Sequence, residues 1–223
     1  MHAMTTTTEH AARRAARALC LAAAALAAAC SSLPAPPPPV AVYDFGPGTG
    51  AAPQDAGAAL PPIALADVDV ADPGTGGAAL HYRLAYANAQ QLRPYTRARW
   101  SQPPAALLQQ ALAERLGRRR AVLWGEDGLA TQLAPGRMPA VLRVQLQEFS
   151  QVFDTEQASA AVLRVRAQLS DADSLGETLV AQQQFTVRRP AATPDAAGGA
   201  RALAEASAQL ADELAAWLRA QGR

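Results

Sequence analysis

The chain has 223 residues, half of them hydrophobic, and its 20 basic residues stand against 19 acidic ones for a formal net charge of +1. Every basic residue is arginine, and a charge so evenly balanced lacks the basic footprint of a nucleic-acid binder. Both cysteines, Cys20 and Cys30, fall within one apolar stretch near the start, so the rest of the chain is built without disulfides.

Arg13, Arg14 and Arg17 form a positive region ahead of an apolar run from Ala18 to Ala29, and small residues lead up to Cys30. That is the layout of a secretory signal over residues 1–29. The run is too short to span a bilayer, which takes about 20 apolar residues, and the following "SSLPAPPPPV" is polar and then proline-rich. A cleavage site ending in cysteine resembles a bacterial lipobox, with Ala28 and Ala29 in keeping and Ala27 standing where leucine is favoured. Cleavage before Cys30 would remove Cys20, and acylation would consume the Cys30 thiol, leaving no thiol nucleophile and no thiolate metal site. The alternative is a plain signal peptide with incidental cysteines. The chain left after cleavage has a net charge of −1 and is long enough for one domain with a sizeable core.

Residues 30–59 read as a lipidated Pro/Ala/Gly-rich tether, and 60–223 as a single folded domain. Ser31 to Pro39 in polyproline geometry, about 3.1 Å per residue, would hold that domain roughly 30 Å from a membrane surface. Within the tether "VAVYDF" (40–45) alternates like a short strand. "PPIALADVDVAD" sets Ile63, Leu65, Val68 and Val70 in a strand-like run with one slip in register. "AALHYRLAY" alternates Leu80, Tyr82, Leu84 and Tyr86 against Ala79, His81, Arg83 and Ala85, with "DPGTGG" between the two runs. "PPAALLQQALAERLG" opens on prolines suited to a first helical turn, ends at Gly117, and aligns Leu108, Ala111, Leu112 and Leu116 on one face.

"AVLW" (121–124) is a short strand candidate, and "GEDGLATQLAPGRMP" after it reads as a loop. Three longer strands follow. In "AVLRVQLQEF" Leu142, Val144 and Leu146 oppose Arg143, Gln145 and Gln147; in "AVLRVRAQLS" Leu163, Val165, Ala167 and Leu169 oppose Arg164, Arg166 and Gln168. "ETLVAQQQFTVRR" offers Leu179, Ala181, Phe185 and Val187, after a turn over Asp171–Gly176. Such alternation means a sheet with one face on a core and one face wet, the antiparallel habit. The C-terminal "GGARALAEASAQLADELAAWLRA" carries a stripe of Leu203, Ala206, Leu210, Leu214, Trp217 and Leu218, suited to covering the apolar face. The fold class is therefore α+β: a mostly antiparallel sheet covered on one face by two amphipathic helices.

Catalytic chemistry has few candidates. The only histidine past the signal region is His81, and no G-x-S-x-G is present, which removes the commonest hydrolase arrangements and histidine-rich metal sites. Asp67, Asp69 and Asp72 lack the loop pattern of a calcium site, and without lysine or a matching glycine motif there is no nucleotide site. No metal and no cofactor is expected. Arg115, Arg118, Arg119 and Arg120 follow a helix, where cations complement the dipole and stay solvated; the sharper reading makes them contacts for lipid head groups or an acidic partner. Glu126 and Asp127 in "WGEDG" keep a carboxylate-based periplasmic hydrolase open as an alternative.

The order of lipobox, tether, "YDF" strand, "LHYR" strand and then "YTRARWSQPPAALLQQALAERLG" resembles the ABC-type transport auxiliary lipoprotein family. In that family a strand ending in a Tyr-Arg pair precedes a short stretch with a Tyr and a Trp, after which a helix begins; Tyr82 with Arg83, then Tyr95 and Trp100, stand in those places. The segment "WSQPP" departs from the acidic residue and single proline common after the Trp. The resemblance implies a non-catalytic outer-membrane lipoprotein facing the periplasm, lipid-anchored through Cys30. Its partners would be an Mce-domain protein and the ABC permease and ATPase of one intermembrane transport system for lipids or hydrophobic solutes. A structural envelope-assembly lipoprotein is the alternative, and self-association stays open. Tyr82, Tyr95 and Trp100 either pack in the core or form a partner surface.

Overall fold

Among the described residues, hydrophobic alternation takes the shape of a nine-stranded sheet: β1 (Ala41–Tyr43), β2 (Ile63–Leu65), β3 (Asp69–Val70), β4 (Ala79–Leu84), β5 (Ala89–Trp100), β6 (Val122–Trp124), β7 (Ala140–Phe153), β8 (Ser159–Asp173) and β9 (Gly176–Pro190). The helices among these residues are α1 (Ala85–Asn88), α2 (Pro104–Gly117), α3 (Gly125–Ala130) and α4 (Ala196–Ala220). This computed structural model describes residues 39–47, 59–71, 77–135, 137–173 and 176–223, with all of those from 40 onward in one compact unit. The signal segment, Cys30 and most of the tether lie outside the described residues, as does most of the "DPGTGG" link.

β7 is the spine. Its one side pairs antiparallel with β8, which pairs antiparallel with β9. Its other side is met by three short strands in succession, all parallel to it: β2 at 140–142, β3 at 145–146 and β4 at 151–153. β6 extends the sheet beyond β2, and β5 and then β1 extend it beyond β4. The long antiparallel pairings make most of the ladder, and the parallel ones are short additions along one edge. The slip expected between Leu65 and Val68 is real: the chain breaks between β2 and β3, where the amide of Val68 donates to Gln109 Oε1 of α2 at 2.9 Å.

One face of the sheet is dry. Leu142, Val144 and Leu146 of β7 and Leu163, Val165, Ala167 and Leu169 of β8 are buried beneath α2 and α4. From α4 come Leu203, Ala206, Leu210, Leu214, Trp217 and Leu218, all buried, with Trp217 edge-on to Phe185 at 5.9 Å between centroids. Each aliphatic side chain so covered contributes about 1.5–3 kcal/mol. α4 starts on an Asp195 cap whose carboxylate accepts from the Gly198 amide at 2.8 Å, and those contacts hold the carboxyl below its usual range. Among the described residues no helix is long and apolar enough to cross a membrane.

The local sequence misleads at four places. Tyr86 is not in a strand: β4 stops at Leu84 and a helical turn carries Tyr86 into solvent. Residues 89–100 form a full strand that their composition does not announce. The expected loop after "AVLW" opens with α3. Leu179 is 58% exposed rather than covered, because β8 and β9 shift register by one residue between Leu169 and Ser170, near their far end.

Candidate functional site

The pairing of β7 with β8 shifts by one residue between Leu146 and Glu148, leaving Gln147 as a bulge. Before it the even-numbered residues of β7 face the core; after it the odd-numbered ones do, so Phe149 and Gln151 point inward while Glu148 and Ser150 turn outward. The bulge falls where β3 has ended and β4 has not yet begun to pair with β7. A cleft of about 230 Å³ opens there, lined by Val70, His81, Arg83, Leu92, Glu148 and Phe149 among others.

Arg83 dominates the cleft. Its Nε and Nη2 donate to the two carboxylate oxygens of Glu148 at 3.0 and 3.1 Å, and its Nη1 donates to the carbonyls of Ala89 and Gln90 at 3.3 and 3.1 Å. The Ser150 hydroxyl donates to the same carboxylate. A two-pronged charge-assisted pair is among the stronger side-chain contacts. Here it fastens the α1 turn to the spine of the sheet, and Glu148 cancels the arginine charge that a substrate anion would need.

His81 lies beside this pair. Burial first, and the Arg83 charge second, hold its imidazole below the usual 6.5, with Glu148 pulling the other way. The unfolded chain therefore takes up the proton first as pH falls, so the stability carried by the neutral ring is present above pH 6.5 and is lost as pH drops below it toward the folded-state value. Melting followed from pH 7.5 downward should show a steeper fall below that point in the wild type than in His81→Gln. Equal slopes would remove His81 from the account.

Tyr82 and Tyr95 lie on the opposite, core-facing side, their rings 4.6 Å apart. The Tyr95 hydroxyl donates to Gln151 Oε1 and Gln151 Nε2 donates to Ser159 Oγ, each at 2.8 Å. Burial raises the Tyr95 pKa far above the usual phenol value, with smaller additions from Tyr82, Asp195 and Tyr43. Trp100 is 0% exposed and sits apart from this pair, against Phe45 and Phe149. The three aromatics thus serve two different packing centres.

The start of α4 presses on the Tyr95–Gln151–Ser159 chain. A methyl group at Gly199 would stand 2.0 Å from Gln151 Oε1 and 3.2 Å from its Cβ, so the glycine is what lets helix and strand meet. Gly199→Ala should cost about 1–3 kcal/mol, the penalty of leaving buried hydrogen-bonding groups unpaired once Gln151 is displaced. Chemical denaturation should show a smaller cost for the same change in a Gln151→Ala background. Equal costs would mean that the clash is relieved without disturbing the network.

The arginines after α2 do not share one environment. Arg115 bridges to Asp212 of α4, Arg118 and Arg119 are half-buried, and Arg120 is buried, which corrects the solvated reading for that residue. Asp67 and Asp69 are exposed, and the Glu126 and Asp127 side chains lie outside the described residues. Among the described residues no group of three His, Cys, Asp or Glu could hold a metal ion. Sequence reasoning missed Gln109 and Gln151; the first carried a signal, as a glutamine beside Leu108 on a helix face that must be buried, while the second is hidden by the bulge.

A family model described as the ABC-type transport auxiliary lipoprotein component matches residues 43–215. No curated protein sequence matches the chain. Among solved structures, protein XCC0632 from Xanthomonas campestris, a DUF330 protein, is 20% identical over 83% of this chain and 94% of its own, with a TM-score of 0.61. An uncharacterized protein is 14% identical over 81% of this chain and 99% of its own, with a TM-score of 0.57. At these identities the likeness is one of fold.

Proposed function

Because the chain belongs to the ABC-type transport auxiliary lipoprotein component family, we propose that it is the lipid-anchored, non-catalytic periplasmic component of an intermembrane transport system. That system would pair it with an ABC permease, its ATPase and an Mce-domain protein, and would carry lipids or other hydrophobic solutes. One observation carries the reading: the family match runs from 43 to 215 and so takes in nearly all of the compact unit from Val40 to Arg223.

Cys30 is the anchor in this reading, and Ser31 after it supports the outer membrane, since aspartate at that position resembles the usual inner-membrane retention signal. The test is affinity capture of the tagged chain from cross-linked cells, with density-gradient separation of the membranes. Recovery of an ABC permease and an Mce-domain protein from the outer-membrane fractions is expected. Capture of outer-membrane assembly proteins without either would support the envelope-assembly role instead, and co-sedimentation with inner-membrane markers would overturn the outer-membrane assignment.

A further inference from the structure

The gap in the sheet at the Gln147 bulge has the length of a short strand. On this side of β7, β3 pairs with residues 145–146 and β4 with 151–153, so among the described residues 147–150 run beside the cleft with no strand against them. At about 3.3 Å per residue those four cover roughly 13 Å. The cleft that opens there is small and carries no spare charge. Clefts that enclose a whole small molecule run to about 300–1,000 Å³, and this one holds about 230 Å³, so it takes part of a larger partner. Arg83 already meets both oxygens of Glu148, which leaves an anionic head group no free cation here. Val70, Leu92, Pro104 and Phe149 supply apolar walls.

Amide groups in this lining are unused. Gln90 and Gln147 both line the cleft, and their side chains make no hydrogen bond among the described residues. Ala105 joins them from the start of α2, which opens on Pro103 with no side-chain cap. The amides of Ala106 and Leu107 both donate to the Pro103 carbonyl, and Pro104 has no N–H to give. The Ala105 N–H is left without a partner among the described residues, at a helix end where such donors need one.

We propose that the cleft binds an extended peptide segment of a protein partner, with one bulky apolar side chain against the apolar walls and the flanking peptide groups on Gln90, Gln147 and the Ala105 amide. A primary amide donates and accepts at once, as a peptide group does, so the two match in pairs. A hydrocarbon chain would fill the apolar walls and leave those amides unmet, at a cost for each one that it covers. Addition of a strand beside an existing sheet works in the same way: main-chain bonds give affinity, and a side-chain pocket gives selectivity. The proposal holds whichever envelope protein supplies the segment, and so does not depend on the transport assignment.

The test is an NMR titration of residues 31–223, which keep the whole compact unit and lack the proposed acyl anchor, with blocked tripeptides. Acetyl-Gly-Phe-Gly-amide should bind in the millimolar range and shift the Ala105 backbone amide and the Gln90 and Gln147 side-chain amides. Acetyl-Gly-Ser-Gly-amide should bind at least about tenfold more weakly, the phenyl ring supplying the difference. Gln90→Ala and Gln147→Ala remove side chains that hold no other group, so the rest of the spectrum should stay as in the wild type. Each should weaken the phenylalanine peptide about threefold to tenfold, the loss of one hydrogen bond. Monooctanoylglycerol probes the other occupant: if it moves the same signals at lower concentration than the phenylalanine peptide, the cleft is a lipid site and the proposal falls. Absence of shifts with the phenylalanine peptide, equal binding of the serine peptide, or full affinity in both glutamine variants overturns it as well.

Discussion

Trp100→Ala should lower the melting temperature of the 31–223 chain by roughly 10 °C. Removing a core tryptophan costs about 3–5 kcal/mol, and in a chain of this size each kcal/mol moves the midpoint by about 2–4 °C. The loss is large against a total of about 5–15 kcal/mol for an ordinary domain. Trp100 is 0% exposed, meets Phe45 edge-on at 5.7 Å and lies 5.5 Å from Phe149. It therefore joins the segment after β1, the end of β5 and the spine β7 in one cluster. Its indole Nε1 has no hydrogen-bond partner, so Trp100→Phe removes volume without breaking a bond and should cost much less. Differential scanning calorimetry of both variants decides it. An alanine variant that melts with the wild type would take Trp100 out of the core and return it to the partner-surface reading.

The second large effect concerns Cys30. Metabolic labelling with an alkyne fatty acid should mark the wild type and Cys20→Ser, and leave Cys30→Ser unmarked. The n-region, the apolar run and the small residues before Cys30 motivate the expectation. Each buried methylene adds about 0.8 kcal/mol and a single myristoyl chain holds a protein only marginally, so a diacylglyceryl group and an amide-linked chain on Cys30 would together make the anchoring stable. Equal labelling of wild type and Cys30→Ser would reduce the leader to a plain signal peptide.

The long strands were legible in the sequence for one reason: burying a single face of a strand leaves a mark of period two. Leu142, Val144 and Leu146, and Leu163, Val165, Ala167 and Leu169, carry it without interruption and all are buried. The stripe of α4 was legible for the matching reason at helical period. β5 left no such mark. Of its twelve residues only Ala98 and Trp100 are fully buried, and Pro94 in its middle argues locally against a strand. It is extended because β4 and β1 pair along it.

The candidate site was readable residue by residue but not as an arrangement. Arg83 stood out beside Tyr82 in "LHYR", yet its partner Glu148 is 65 positions away and faces it only because the Gln147 bulge reverses the alternation of β7. The same reversal turns Gln151 inward to Tyr95, so a residue that continues an outward-facing series in the sequence becomes the centre of a buried hydrogen-bond chain.

By itself the sequence determined which face of the long strands and of α4 is apolar over their regular stretches, because transfer of apolar surface from water acts on every segment through its own periodicity. Only the tertiary structure decided where that periodicity breaks and what meets at the break. The bulge at Gln147, the contact of Gly199 with Gln151 and the burial of Arg120 between two helix ends all depend on atoms brought from distant parts of the chain. A polar group at such a place is stable or costly according to the partner that the fold delivers to it, and no local pattern records that partner.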